Sequence, residues 1–155
     1  MYVSEQQAGP PVAVCGFYLA PRKAGFVLHM SASKGNLREM RHHLYEVVTA
    51  AGLSVETAES AQLVASELVG NAVRACGPWV PVVVQLSLGE GDIQLQVHDP
   101  HRDALPMRQE LSPDNAEEVS GRGLWILDAV APGWIVETTP LGKQVTCSLP
   151  RQPTS

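Results

Sequence analysis

A carboxylate and a carboxamide, Glu67 and Asn71, have types and spacing suited to chemistry. On a helix, a separation of four residues places both polar groups on one face, about one turn apart. They border an apolar stripe that includes Leu68 and Ala72. Such oxygens can hold Mg²⁺ together with phosphates and water, and a carboxylate can also activate water. Because polar pairs with this spacing are common on solvated helix surfaces, the pair alone leaves both interpretations open.

A third polar residue, Asp99, ends a run in which apolar and polar residues alternate from 93 to 98. This alternation is typical of a strand with one buried face. A carboxylate at the end of such a strand can accept a hydrogen bond from an exocyclic amine, such as that of adenine. An aspartate before Pro100 is also typical of a turn, so this residue too has a purely structural interpretation.

A glycine-containing segment precedes the last predicted helix, which begins at Leu124. Gly121 and Gly123 allow the backbone to approach a phosphate closely, and a helix N-terminus favours negative charge. Arg122, between them, can add a charge-assisted contact. A Gly-x-Gly sequence is weak evidence by itself, so its weight depends on the other segments.

The elements that must position these residues follow from periodicity. Helical spacing covers residues 36–51 and about 54–75, and the second of these helices carries Glu67 and Asn71. Strand patterns are predicted at 26–30, at 80–88 with 93–98 as a hairpin, and at 134–139 with 143–149 as a second hairpin. Residues 99–120 are irregular, as in a lid or a disordered segment. Helices and antiparallel strands in separate blocks predict an α+β fold, a two-layer α/β sandwich whose mixed, mostly antiparallel sheet is covered on one face by helices.

The two ends of the chain are predicted to lie outside the main domain, residues 26–149. In residues 1–25, an apolar stretch from Val12 to Leu19 is ended by Pro21, and it forms either an extra strand or a loosely attached arm. Residues 150–155 are expected to fray.

Composition restricts the class of protein. The 155 residues, 45% hydrophobic and 17% charged, fit one globular domain that needs no disulfide or metal for stability. A net charge of −5 argues against a nucleic-acid-binding surface, and three dispersed cysteines match neither a disulfide framework nor a zinc site. The sequence has no signal-peptide pattern and no apolar run near the roughly 20 residues of a membrane span, so we expect a cytoplasmic protein.

The order of the polar segments resembles the GHKL (Bergerat-type) ATPase superfamily. Residues 67–72 (ELVGNA) are similar to its N box, residues 97–99 (VHD) to the start of its G1 box, residues 121–127 (GRGLWIL) to its G2 box, and residues 142–145 (GKQV) to its final hairpin. The resemblance covers about Phe26 to Leu149. Because the chain is short and lacks a phospho-acceptor helix, it is most similar to actinobacterial histidine-kinase-like ATPases, which are related to anti-sigma-factor serine kinases.

The resemblance implies ATP and Mg²⁺ as cofactors and assigns a role to each residue. Asn71 would ligate Mg²⁺, Glu67 would be the general base, and Asp99 would contact the adenine amino group. The phosphate-binding segment would consist of Gly121, Arg122, Gly123 and Leu124.

The implied activity is that of an ATP-dependent serine/threonine kinase in transcription regulation. Such a protein phosphorylates a small anti-anti-sigma partner, sequesters a sigma factor, or does both, and related regulators often form homodimers. The family's G1 box usually continues Asp-x-Gly-x-Gly, whereas residues 99–103 here are DPHRD, which restricts the approach of the backbone to a nucleotide. A non-catalytic protein-binding module with a weak or vestigial nucleotide pocket is therefore the alternative. A third hypothesis is the ATPase part of a multi-protein signalling system.

Overall fold

The computed structural model of the chain describes residues 9–102 and 126–154. In chain order its elements are β1 (Val12–Val14), β2 (Phe17–Arg22), β3 (Gly25–Ser31), α1 (Lys34–Ala50), α2 (Val55–Cys76), β4 (Pro81–Leu88), β5 (Asp92–Asp99), β6 (Ile135–Thr139) and β7 (Gly142–Pro150). Residues 126–130 are also helical. Neither α1 nor α2, nor any other helix within the described ranges, is both long and apolar enough to cross a membrane.

The strands form one seven-stranded sheet in the order β1-β2-β3-β4-β5-β7-β6. Each neighbouring pair is antiparallel, so the predicted α+β two-layer sandwich is confirmed, and the parallel pair of a mixed sheet is absent among these strands. Both helices pack on the same sheet, α1 against β3 and α2 against β4, β5 and β7. Both predicted hairpins, β4–β5 and β6–β7, are also present.

The core lies between the helices and one face of the sheet, as the strand alternation predicts. In β5, Ile93, Leu95 and Val97 are buried, while Gln94 is exposed and Gln96 and His98 are half-buried on the other face. The same rule applies to the neighbouring strands, because successive side chains of a strand point to opposite faces. The largest completely buried side chains include Phe26, Leu28, Met40, Leu44, Leu86, Ile93, Leu95, Leu127 and Leu149.

Serine caps begin both long helices. The Oγ of Ser33 accepts the Asn36 backbone N–H at 3.1 Å, so α1 begins at Lys34, two residues before the predicted start. Ser54 caps α2 in the same way through the Thr57 N–H, also at 3.1 Å. The side chain of Asn36 also donates to the carbonyl oxygens of Ser31 at 2.8 Å and Gly16 at 3.0 Å. These bonds fix the start of α1 to the first hairpin.

Two details at the chain ends differ from the sequence predictions. Pro21 does not end the first apolar stretch, because β2 continues to Arg22. A proline is tolerated there because β1 extends only to the position opposite Leu19, which leaves β2 without a described neighbour on that side.

Residues 151–154 are held rather than frayed. The Ser54 N–H donates to the Gln152 carbonyl at 2.9 Å, and residue 154 bonds the loop between the helices.

Candidate functional site

Helix α2 positions Glu67 and Asn71 beside the core. Its apolar stripe, which includes Val64, Leu68 and Ala72, is buried against the sheet. Glu67 and Asn71 are half-buried at the margin of this stripe, and they lie on one face of the helix as their spacing predicts. Packing of the stripe therefore places both polar groups at the border between the helical layer and solvent.

The helical segment 126–130 borders the same side of α2. A cavity of about 260 Å³ is lined by Glu56, Thr57 and Ser60 on α2 and by Ala129 and Val130 on the segment. Ser60 is seven residues before Glu67, a separation that corresponds to two helical turns and hence to the same face. The predicted phosphate-binding residues lie outside the described residues, so their roles remain predictions: Gly121, Arg122, Gly123 and Leu124.

Asn71 already has a hydrogen-bond donor at the oxygen that would ligate a metal ion. The guanidinium of Arg74, one turn further along α2, donates to its Oδ1. Arg74 is exposed, so its side chain can leave this contact without unfolding the helix. Glu67 is half-buried and makes no hydrogen bond or ion pair within the described residues, so none of them neutralises its carboxylate.

Asp99 lies at the end of β5, and its side chain is buried. The Lys143 ammonium contacts both carboxylate oxygens, Oδ1 at 3.0 Å and Oδ2 at 2.9 Å. The His101 N–H also donates to Oδ1, at 2.8 Å. The last bond is the turn interaction that is common for aspartate before proline. Asp99 therefore has both the structural role of a turn residue and a fixed negative charge paired with a buried cation.

Lys143 is a site residue that sequence reasoning missed. The antiparallel register of β5 and β7 places it directly opposite Asp99. The preceding residue, Gly142, permits this close approach, because a Cβ at that position would lie 1.9 Å from the Asp99 carbonyl oxygen. The Lys143 ammonium also donates a hydrogen bond to the His101 carbonyl oxygen, at 3.2 Å. A buried lysine requires such partners, but the partner here is on β5 rather than across the β6–β7 hairpin, so local sequence carries no signal for the pair.

The end of α2 brings the helix close to Asp99. The Cys76 thiol is exposed, but partial desolvation and then the negative charge of Asp99 raise its pKa, while Lys143 opposes the shift. Cys76 is the last residue of α2 and follows Asn71 by five residues, about 7.5 Å along the axis. The C-terminal end of α2 therefore lies near Asp99 and Lys143 at the ends of β5 and β7.

The residues present fit a nucleotide with Mg²⁺. A carboxamide oxygen and a carboxylate on one accessible helix face are the hard oxygen ligands that Mg²⁺ uses together with phosphates. The described residues contain no group of three or more His, Cys, Asp or Glu side chains that could hold a metal without such a ligand.

Comparison with known proteins adds an independent result. The family model for the histidine kinase-like ATPase domain matches residues 30–149, which is most of the chain. A search of curated proteins gave no match. The matched range contains both helices and β4 to β7, together with Glu67, Asn71, Asp99 and Lys143. The chain therefore belongs to the histidine kinase-like ATPase domain family, within the GHKL-type ATPase superfamily, and is an ATP-binding regulatory domain.

Proposed function

We propose that this domain acts in the cytoplasm as a serine/threonine kinase of the anti-sigma-factor type. Its substrate would be a small antagonist protein, and its regulatory partner a sigma factor that it sequesters. One observation carries the proposal. Glu67 and Asn71 occupy one accessible face of α2, and Asp99 is held at the end of β5 near the end of the same helix. In this proposal, α2 would supply the general base and the magnesium ligand, and the carboxylate near its C-terminal end would recognise the adenine.

Each residue has a separate role in this proposal. The Asn71 Oδ1, which Arg74 now contacts, would hold Mg²⁺, and Asp99 would contact the adenine amino group while Lys143 holds the carboxylate in place. Glu67 accepts the proton of a partner serine as its oxygen forms a bond to the γ-phosphorus of ATP and the bond to ADP breaks. Bound Mg²⁺ would supply charge neutralisation at the phosphates. The protein contributes positioning and proton transfer.

A second candidate function is a non-catalytic binding module that sequesters its partner without phosphorylating it. It is favoured by the contacts of the two nucleotide-binding residues, since Arg74 donates to Asn71 and Lys143 neutralises Asp99. Pro100 favours it as well, because the proline ring fixes the backbone directly after Asp99 and restricts its approach to a nucleotide.

Phosphoryl transfer from γ-labelled ATP distinguishes the two functions. The purified chain is incubated with Mg²⁺, labelled ATP and each anti-anti-sigma protein encoded in the same genome. We expect label on one partner's serine with the wild type and the Glu59→Ala variant, and at least a hundredfold slower labelling with Glu67→Ala, the usual contribution of a general base. Glu59 is an exposed carboxylate on the solvent side of α2 and serves as the matched control. Equal labelling by Glu67→Ala and wild type would refute the assignment of the base, and complexes without labelling would favour the binding module.

A further inference from the structure

A second cavity, of about 690 Å³, lies between the start of α1 and the C-terminal half of α2. We call it the Trp79 groove, and its lining residues are Ala32, Ser33, Lys34, Gly35, Leu37, Gly70, Val73, Arg74, Pro78 and Trp79. Val73 is two residues after Asn71, which places the two side chains about 200° apart around the helix. The groove wall at Val73 is therefore on a different side of α2 from Asn71, and Arg74 lies between the two.

The groove has an apolar wall with an exposed aromatic side chain. Leu37 and Val73 pack only partly into the core, and Pro78 continues the wall. Trp79 is 67% exposed, although a tryptophan usually packs inside a protein or against a partner. The next residue, Val80, is fixed to the sheet because its carbonyl accepts the Ala32 N–H at 2.9 Å. Trp79 is thus carried on a short, anchored connection rather than on a long loop.

The rim of the groove is positively charged. Lys34 and Arg74 are both exposed and line the groove, and none of its lining residues is acidic. This local charge is opposite to that of the whole chain, whose net charge is −5. Tryptophan and arginine are the residue types that most often dominate binding energy at protein interfaces. Charge complementarity therefore favours an acidic occupant that also presents an apolar side chain.

We propose that the Trp79 groove docks an acidic segment of a partner protein that presents at least one large apolar side chain. That side chain packs against Trp79 and Val73, and flanking carboxylates pair with Lys34 and Arg74. Burial of the indole supplies apolar contact, while the two cations select acidic over basic segments.

Docking at this groove has a consequence for the nucleotide site, and this consequence rests on the proposed function. Arg74 lines the groove and also donates to the Asn71 Oδ1. A carboxylate that draws Arg74 into the groove leaves the Asn71 oxygen available to Mg²⁺. Partner docking and Mg²⁺–ATP binding should then strengthen each other, because coupling between two sites is reciprocal.

The docking is tested on the full chain without nucleotide, by fluorescence anisotropy of a labelled acidic peptide, EDELFDEE. Two control peptides are the basic KRKLFKRK and the acidic EDEGSDEE, which lacks the apolar pair. We expect saturable binding of EDELFDEE alone, and a roughly tenfold loss of affinity, or about 1.4 kcal/mol, in Arg74→Glu and in Trp79→Asn. Asparagine tolerates the positive φ of 71° at residue 79, so the second variant removes the indole without backbone strain.

The matched control is Lys23→Glu, a charge reversal at an exposed residue in the β2–β3 turn, which should bind within twofold of wild type. Equal affinity in wild type, Arg74→Glu and Trp79→Asn, or equal binding of the basic peptide, would overturn the proposal. A dimer in sedimentation that Trp79→Asn converts to monomer would also overturn it, because the occupant would be a second copy. If Mg²⁺–ATP does not bind while the peptide does, the proposed function fails and the docking surface stands.

Discussion

Replacement of Lys143 by methionine tests how the buried charge of Asp99 is held. The two side chains are only 4% and 3% exposed, and the ammonium contacts both carboxylate oxygens within 3.0 Å. Methionine preserves the length of the apolar stem but removes the charge. In the variant, the Asp99 carboxylate keeps the His101 N–H and loses its cation.

The expected cost follows from this burial. Removal of one partner of a buried ion pair typically costs about 3–5 kcal/mol, because the other charge stays desolvated and unpaired. Domains of this size have a free energy of unfolding of about 5–15 kcal/mol, so the loss is a large fraction of the total. At roughly 2–4 °C per kcal/mol for a chain of this length, Tm should fall by about 6–20 °C.

Urea unfolding of Lys143→Met, followed by circular dichroism, measures this loss. In the double variant Asp99→Asn, Lys143→Met, the carboxamide can still accept the His101 N–H and no charge is left unpaired. We expect the double variant to lose much less stability than Lys143→Met, and the exposed-site control Lys23→Met to stay within about 0.5 kcal/mol of wild type. A loss below about 1 kcal/mol in Lys143→Met would show that Asp99 is hydrated and would refute the buried pair.

Three further predictions concern other parts of the fold. Gly142→Ala should lower the free energy of unfolding by about 1–3 kcal/mol, because its Cβ would meet the Asp99 carbonyl oxygen. The control Gly91→Ala has open space around it and should cost little, so equal urea midpoints of the two variants would contradict this. Burial, and then the charge of His42, lowers the pKa of His43. As the pH falls, the imidazole therefore binds a proton in the unfolded chain before it does so in the folded chain, and the stability contributed by neutral His43 is lost below about pH 6.5. His43→Gln should accordingly flatten the decline in urea midpoint between about pH 7.5 and 5.5, and an unchanged slope would exclude this residue as its source. Burial raises the pKa of Cys147 to about 12, so Ellman's reagent at about pH 8 should label the exposed Cys15 in the native protein but Cys147 only in urea; immediate native labelling of Cys147 would contradict its burial.

Local patterns in the sequence predict the parts of the fold that depend on neighbouring residues. The alternation from Ile93 to His98 predicts β5 and its buried face, and the apolar spacing from Ala61 to Ala72 predicts α2. Both signals arise because one face of each element packs against the core. The positions of Glu67 and Asn71 beside that core follow from the same periodicity.

Features that depend on contacts between distant segments are not predicted in this way. The pairing of Lys143 with Asp99 joins residues 44 apart and requires the register of β5 and β7. Pro21 is an acceptable strand residue only because β1 is short, which local sequence does not reveal. The contact between Arg74 and Asn71 is different, since a separation of three on a helix could have predicted it.

Calorimetric titration of ATP with Mg²⁺ into the wild type and Asn71→Ala tests the central claim most directly, namely that this face of α2 binds the nucleotide through its metal ion. We expect saturable binding to the wild type and to Glu59→Ala, weaker binding when Mg²⁺ is chelated, and no measurable binding to Asn71→Ala. Binding of equal affinity to wild type and Asn71→Ala, with or without Mg²⁺, would contradict the account.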